Sequence, residues 1–199
     1  MPIGIRSMDG CLPYPKNADQ ANAHAMTRLQ IRPACAADAS ALSELAARTF
    51  LDTFAAVNAA EDMATHVTRY HGVTQQAAEI ASPDIRCLLV ERGSDLIGYA
   101  QLRRGHTPDC VQTANPIELW RFYIDRAGIG HGIAQQLMTA VFAETLKMQA
   151  TALWLGVWEH NRRAIAFYRK CGFREIGAHE FQLGSDAQKD LIMICNAIG

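Results

Sequence analysis

A glycine-rich turn between an apolar segment and an amphipathic segment constrains this chain more than any other feature of its sequence. The apolar segment ends at Ile124, and Gly128, Gly130 and Gly132 precede the helical pattern. The first amides of a helix have no carbonyl partner within the helix, and the helix dipole adds about half a positive charge there. Glycine has no Cβ and tolerates positive φ, so the backbone can approach a ligand closely. The sequence therefore predicts a phosphate site at this helix start.

Two common phosphate-binding loops do not match the turn. No lysine follows the glycines, as the pattern G-x-x-x-x-G-K-[ST] requires, and their spacing is not G-x-G-x-x-G. Neither a nucleoside triphosphate nor a dinucleotide is therefore favoured. Taken alone, the segment is also compatible with a flexible strand-to-helix turn that binds nothing.

A second motif lies in the next predicted strand and helix. The strand ends near Trp158, Asn161 is a good helix N-cap, and Gly172 stands where a left-handed residue ends a helix. The glycine turn and this segment, with Tyr168 and Phe173, together resemble the acyl-CoA-binding motifs of the GNAT superfamily, the GCN5-related N-acetyltransferases. The resemblance extends over nearly all of the chain beyond its N-terminal part.

A finer resemblance connects the chain with the PaiA-type branch of that superfamily, whose members are similar to polyamine N-acetyltransferases. It depends on scattered residues and includes no ligand-specific motif. These residues are Thr49, Phe50, Asp52, Thr53, Phe54, Asn58, Asp62, Met63, His179, Phe181, Leu183, Gly184, Asp186, Gln188 and Asp190. The resemblance implies acetyl transfer to a small amine without identifying that amine.

Composition is consistent with one enzyme domain. The chain has 199 residues, of which 49% are hydrophobic, enough for one sizeable core and few for two. Its 19 Lys and Arg against 20 Asp and Glu give a net charge of -1, which provides no basic surface for nucleic acid or a membrane. With no long apolar span and no signal-peptide pattern, we expect a cytoplasmic protein without nucleic-acid or membrane partners.

The six cysteines show no C-x-x-C spacing and no paired histidine ligands. We therefore expect reduced thiols, several of them in the core, and no metal site. The sequence leaves the oligomeric state open, with a homodimer as one alternative.

Apolar periodicity predicts one domain over 26–199, preceded by a poorly ordered tail over 1–25. The pattern gives an α/β (α+β) fold with a mixed, mostly antiparallel sheet and helices on both faces, in agreement with the acyl-CoA N-acyltransferase (GNAT) fold. The predicted strands are 29–32, 85–91, 96–103, 117–124, 152–157, 174–183 and 190–195, and the predicted helices are 38–57, 59–70, 74–81, 132–148 and 161–171.

Acetyl transfer from a thioester to an amine requires a deprotonated amine, a polarised carbonyl and a proton for the departing thiolate, but no covalent enzyme intermediate. The resemblance implies that Tyr168 is the general acid, and a phenol with a pKa of about 10 stays protonated at neutral pH. The alternative is an aromatic ring packed against the sheet. Glu118, on the central strand, is the candidate proton acceptor, and the alternative is a surface or salt-bridged carboxylate.

The resemblance also implies the position of acetyl-CoA. Backbone groups of Phe122, Tyr123 and Ile124 would bind the pantetheine arm, beside which Asn161 is either a contact or only an N-cap. The amides of the turn would hold the pyrophosphate; they belong to Ile129, Gly130, His131, Gly132, Ile133 and Ala134. Ile129 departs from the Arg or Gln that is usual in the family, and His131 stands where a basic residue often lies. Three arginines are solvated charges or phosphate contacts: Arg162, Arg163 and Arg169.

Aromatic walls with one or two carboxylates would suit an aliphatic amine cation. The candidates for such an acceptor pocket are Phe50, Asp52, Phe54, Trp158, Glu159 and His179. The favoured function is acetyl transfer from acetyl-CoA to a small amine, such as a polyamine. The alternatives are an acetyltransferase of a peptide or protein amine and a non-enzymatic acyl-CoA-binding module.

Overall fold

A computed structural model describes residues 29–55, 58–105, 107–183 and 186–196 of the chain. The tail predicted over 1–25 lies outside the described residues. No helix in the ranges that the structure describes is both long and apolar enough to cross a membrane.

The described part of the chain contains seven strands and five α-helices. The strands are β1 (Leu29–Pro33), β2 (Ile85–Arg92), β3 (Asp95–Arg103), β4 (Pro116–Ile124), β5 (Ala152–Trp158), β6 (Arg174–Leu183) and β7 (Asp186–Cys195). The helices are α1 (Ala39–Phe54), α2 (Ala60–Tyr70), α3 (Val73–Ala81), α4 (Ile133–Lys147) and α5 (Arg162–Lys170). Most bounds agree with the prediction to within a residue or two, but β7 begins earlier because its polar first half pairs with β6 as a hairpin.

All seven strands form one sheet in the order β1-β2-β3-β4-β5-β7-β6. Every neighbouring pair is antiparallel except β4 and β5, which are parallel. The prediction of a mixed, mostly antiparallel sheet is confirmed.

Side chains on the two faces of the sheet enter different cores. In β2, Leu88 and Val90 pack with α4 and α5, whereas Cys87 and Leu89 pack against α1. This alternation follows from the two-residue period of a strand. The helices therefore cover both faces, as predicted.

A buried polar network attaches α2 and α3 to the sheet. Arg121 of β4 donates to Glu79 of α3 at 2.5 Å, to Gln101 of β3 at 2.6 Å and to the carbonyl of Tyr70 at 3.2 Å. The side chains of Arg121 and Glu79 are 7% and 3% exposed. Because either charge alone would be costly in this interior, the pair fixes the position of α3 relative to β4.

β4 and β5 stay together over only a short distance. The paired positions are Pro116 with Ala152, Ile117 with Leu153, and Glu118 with Trp154. Beyond them β4 continues along β3, and β5 continues along β7. The facing edges of the two strands then have no strand partner in the described structure, and a cleft opens between them.

One extra residue in β4 decides which side chains face each half of this cleft. The register with β3 changes from Gln101 opposite Arg121 to Leu102 opposite Leu119, so Trp120 is a bulge. As a result Glu118 lies on the same face as Arg121, while Leu119 packs in the core beneath α4.

Candidate active site

The cleft between β4 and β5 has a volume of about 1580 Å³. Small-molecule pockets usually measure about 300–1,000 Å³. The cleft is therefore large enough for a long cofactor and a second ligand together. Residues from α1, α2, β4, β5, α4 and α5 line it.

The glycine turn forms one end of the cleft. Asp125 caps a short 3-10 turn by accepting a hydrogen bond from the amide of Ala127 at 3.0 Å. Gly130 and Gly132 have φ values of 87° and 74°, which L-residues rarely adopt, and apart from the adjoining residues no atom lies within 4 Å of where their Cβ atoms would be. Gly132 is the N-cap of α4, so the turn exposes the first amides of that helix.

Most residues predicted to surround the pyrophosphate line the cleft. These are Ile129, Gly130, Gly132, Ile133 and Ala134. His131 is exposed and is not among the lining residues. Of the three arginines left open by the sequence, Arg163 lines the cleft, whereas Arg169 pairs with Glu175. Arg126, next to the turn, also lines it and brings a charge that Ile129 lacks.

The predicted pantetheine-binding residues lie along the free edge of β4. Phe122, Tyr123 and Ile124 all line the cleft, and the ring of Phe122 stacks on Phe167 with centroids 5.6 Å apart. Asn161 caps α5, since its side-chain oxygen accepts a hydrogen bond from the amide of Ala164 at 3.1 Å. The same residue lines the cleft, so its position is compatible with both predicted roles.

Tyr168 lies in a wall of aromatic rings and is 9% exposed. Its ring contacts Phe122, Phe167 and Phe173, with centroids 6.3, 5.6 and 5.7 Å away. Burial raises the pKa of Tyr168 well above its usual value, and the neighbouring Tyr123 adds to this rise. The phenol therefore stays protonated throughout the physiological range and can donate to an anion in the cleft.

Glu118 lies at the point where β4 and β5 separate. It is opposite Trp154 in the last paired position, and its side chain is 12% exposed. Burial raises the pKa of Glu118, while the hydrogen bond from Arg103 opposes that rise. Glu118 therefore combines the two alternatives from the sequence, because it is salt-bridged and also lines the cleft.

The predicted acceptor residues form much of the other half of the cleft. Phe54 connects Phe50 with Trp158 through ring contacts at 4.9 and 6.0 Å. Asp52 lines the cleft and pairs with Arg126 at 3.2 Å, and His179 also lines it. Glu159 does not line the cleft and lies 3.8 Å from the Lys189 ammonium.

Two further residues, His66 and His71, line the cleft and were not among those predicted from the sequence. The rings of His66 and Phe50 stack at 4.3 Å, and His71 lies 5.1 Å from Phe50. His66 follows Met63 by three residues and precedes Tyr70 by four, a helical spacing that could have indicated a shared face. Both ring nitrogens of His71 are buried without a hydrogen-bond partner in the described structure.

All three tryptophans of the chain line the cleft: Trp120, Trp154 and Trp158. The Trp120 ring lies between two guanidinium groups, with the central carbons of Arg103 and Arg121 at 4.0 and 3.8 Å from its centroid. Sequence periodicity gave no signal for Trp120, because a bulge interrupts the alternation on which such predictions depend.

Comparison with known families agrees with this geometry. The model of the Acetyltransferase (GNAT) family matches residues 43–173. The chain belongs to the GNAT family. It is 29% identical over 168 residues to an uncharacterised N-acetyltransferase of Lactobacillus delbrueckii subsp. lactis, with 84% of this chain and 97% of the relative covered. It is 32% identical over 157 residues to an uncharacterised N-acetyltransferase of Mycobacterium tuberculosis, covering 79% and 96% of the two chains.

A solved structure shows the same fold. The PaiA N-acetyltransferase of Thermoplasma acidophilum, crystallised in complex with coenzyme A, superposes with a TM-score of 0.70 at 24% identity, covering 85% of this chain and 99% of that one. The GNAT fold and the assignment as a GNAT-type N-acetyltransferase, both predicted from the sequence, are confirmed.

Replacing His71 by leucine should reduce the sensitivity of the fold to acid. Burial, with help from Arg121 and His66, lowers the pKa of His71 from 6.5 to about 3. As the pH falls below the pKa that His71 has in the unfolded chain, the unfolded chain binds a proton that the folded chain does not. The free energy of unfolding therefore decreases. Between about pH 7 and pH 5 this loss amounts to about 2 kcal/mol, measurable by urea unfolding.

The matched control is His160→Leu, which replaces an exposed histidine. That variant should lose as much stability as the wild type over the same pH interval. If His71→Leu also loses as much as the wild type, the buried neutral histidine does not cause the acid sensitivity.

Proposed function

We propose that the protein transfers the acetyl group of acetyl-CoA directly to a primary amine of a small molecule. The observation that supports this most is the arrangement within one cleft. An anion-binding helix start lies at one end, Tyr168 lies in the wall beside it, and aromatic rings with carboxylates form the other half. Two ligands entering from opposite ends would meet where β4 and β5 separate.

The turn supplies backbone donors for the cofactor pyrophosphate. Because these donors are amides, their use does not depend on the side chain at Ile129. Arg126 and Arg163 add positive charge beside the same end of the cleft. Along the free edge of β4, alternate amides and carbonyls point away from β3. The pantetheine arm would form hydrogen bonds with these groups, as a neighbouring strand does. The PaiA protein of T. acidophilum, crystallised with coenzyme A, has the same fold.

The chemistry then requires three proton transfers. The acceptor ammonium loses a proton to a carboxylate or to water, for which Glu118 is the candidate on β4. The amine nitrogen attacks the thioester carbonyl carbon, and the carbon–sulfur bond breaks as the amide forms. Tyr168 donates its proton to the departing thiolate and regains one from the amine nitrogen through solvent. Overall, one ammonium and one thioester yield one amide, one thiol and one proton.

The PaiA-type resemblance favours a di- or polyamine as the acceptor. Asp52 lies in a weak, partly exposed ion pair with Arg126, from which a second ammonium could take the carboxylate at small cost. Glu118 is held by Arg103, and Glu159 lies outside the cleft lining. Of the three, Asp52 is therefore best placed to receive a distal ammonium.

Gly132→Asp should weaken acetyl-CoA binding at least about tenfold, or about 1.4 kcal/mol. The new carboxylate would stand at the helix start where the pyrophosphate binds. Gly132→Ala is the control, because it imposes the same strain at a φ of 74° without adding charge. Calorimetric titration compares the two variants. Equal affinities in both would contradict a phosphate site at this turn.

Tyr168→Phe should lower kcat by about 10²-fold to 10⁴-fold while leaving acetyl-CoA affinity nearly unchanged. The ring contacts remain and only the proton donor is lost. Tyr99→Phe is the control, because that buried hydroxyl forms no hydrogen bond in the described structure and does not line the cleft. Rates must be measured where chemistry limits turnover. A Tyr168→Phe enzyme with full kcat would assign the residue to packing alone.

A panel of acceptors tests the substrate class. The purified protein with acetyl-CoA should acetylate primary aliphatic amines, with di- and polyamines preferred over monoamines of equal length. Asp52→Asn should raise KM for a diamine much more than for the monoamine, because only the diamine loses the distal ion pair. If peptides or amino acids are acetylated and no polyamine is, the proposed polyamine acceptor is wrong, and the substrate is a peptide or an amino acid.

A further inference from the structure

A gap in the β5 wall of the cleft holds a carboxylate and an imidazole from neighbouring strands. Gly156 stands between Trp154 and Trp158, which share its face of β5 because residues two apart in a strand do so. A Cβ on Gly156 would lie 3.3 Å from Oδ2 of Asp190 and 3.6 Å from Cε1 of His179. These two side chains thus border the space that a side chain of β5 would fill. We call Gly156, Trp158, His179 and Asp190 the Gly156 notch.

Three strands fix the geometry of the notch. Asp190 of β7 is opposite Trp158 of β5 on one side and opposite His179 of β6 on the other. Directly opposed residues in an antiparallel pair have Cβ atoms about 4.5–5.5 Å apart. All four notch residues line the cleft. The group is therefore positioned by sheet register and does not depend on a loop.

Asp190 has no guanidinium or ammonium partner among the described residues, unlike the carboxylates of Glu118 and Asp52. Glu118 is paired with Arg103, and Asp52 with Arg126. Within the described residues Asp190 forms no ion pair and no hydrogen bond. Burial raises the pKa of Asp190, and the exposed His179 opposes that rise. A cationic ligand would stabilise the carboxylate further.

We propose that the Gly156 notch binds an ammonium group of the acceptor, with Asp190 accepting its hydrogen bond and the indole of Trp158 beside the cation. The inference rests on the proposed function and adds the residue that makes the acceptor site selective for a cation. A carboxylate gives a charge-assisted hydrogen bond, and an indole attracts a cation through its ring electrons. A neutral alcohol of the same length can still donate a hydrogen bond to the carboxylate, but it obtains neither the ion pair nor the attraction to the indole.

The positions of the three tryptophans provide a readout that needs no turnover. Because all of them line the cleft, a ligand that enters it changes the intrinsic fluorescence of the protein. The probes are 1,4-diaminobutane and the neutral 1,4-butanediol, titrated into the protein in the presence of coenzyme A. The wild-type protein should bind the diamine saturably, and the diol should bind at least about tenfold more weakly.

Two variants alter the notch in different ways. Asp190→Asn keeps the shape and removes the charge, and it should weaken diamine binding at least about tenfold while weakening diol binding much less. Gly156→Ala keeps the charge and places a methyl group 3.3 Å from Oδ2 of Asp190, so it should weaken diamine binding in the same direction. Gly156 does not have a positive φ, so alanine fits its backbone.

Glu159→Gln is the control, because it neutralises a carboxylate one residue from Trp158 that does not line the cleft. This variant should bind the diamine as the wild type does. Equal diamine binding by Asp190→Asn and wild type would overturn the inference, as would equal binding of the diamine and the diol by the wild type.

The same titrations separate this inference from the proposed function. If the wild type binds the diamine through Asp190 but transfers no acetyl group to any amine, the proposed function fails and the ammonium site stands. If amines are acetylated with the same KM in Asp190→Asn and in the wild type, the function stands and the notch is not the acceptor site.

Discussion

The separation of β4 from β5 after three paired positions determines where every part of the site lies. Each strand keeps an antiparallel partner on its outer edge, β3 for β4 and β7 for β5, so the sheet remains continuous around the opening. The inner edges carry backbone donors and acceptors that a folded chain normally pairs. Water or a ligand must satisfy them, and a flexible amide-containing arm is well suited to do so. The proposed cofactor site therefore depends on unpaired backbone as much as on particular side chains.

The bulge at Trp120 determines which side chains of β4 lie on each face of the sheet. Without the extra residue, the alternation that places Glu118 on the acceptor face would direct Arg121 to the other core. With it, Glu118 and Arg121 share a face, and the buried Arg121–Glu79 pair holds α3 against that face. One inserted residue thus supplies both a carboxylate in the cleft and the anchor of its neighbouring wall.

Local patterns predicted the elements and the glycine turn at the cleft, because both are encoded by contiguous residues. The glycine turn, the Asn161 cap and Tyr168 all belong to single strand–turn–helix segments. The acceptor half is assembled from strands and helices distant in sequence. The pairing of β7 with β5 and β6 determines the position of Asp190. The position of His71 depends on its contact with the ring of Phe50. Periodicity carries no information about such contacts between distant segments. The resemblance named Asp190 without a role, and its position beside Gly156 became visible only in the folded chain.

The attachment of α2 and α3 has a consequence for how the acceptor range can change during evolution. In α3 the buried residues Gln76 and Glu79 are polar, whereas Met63 and Val67 of α2 pack with Phe50 and Phe54 of α1 in a small cluster apart from the main cores. The polar contacts of Arg121 link both helices to β4. Substitutions on the cleft-facing side of α2, around His66, would therefore remodel one wall of the cleft without touching the main cores around the sheet. The fold thus separates the strands and helices around Tyr168 and Glu118 from a helical wall that can vary.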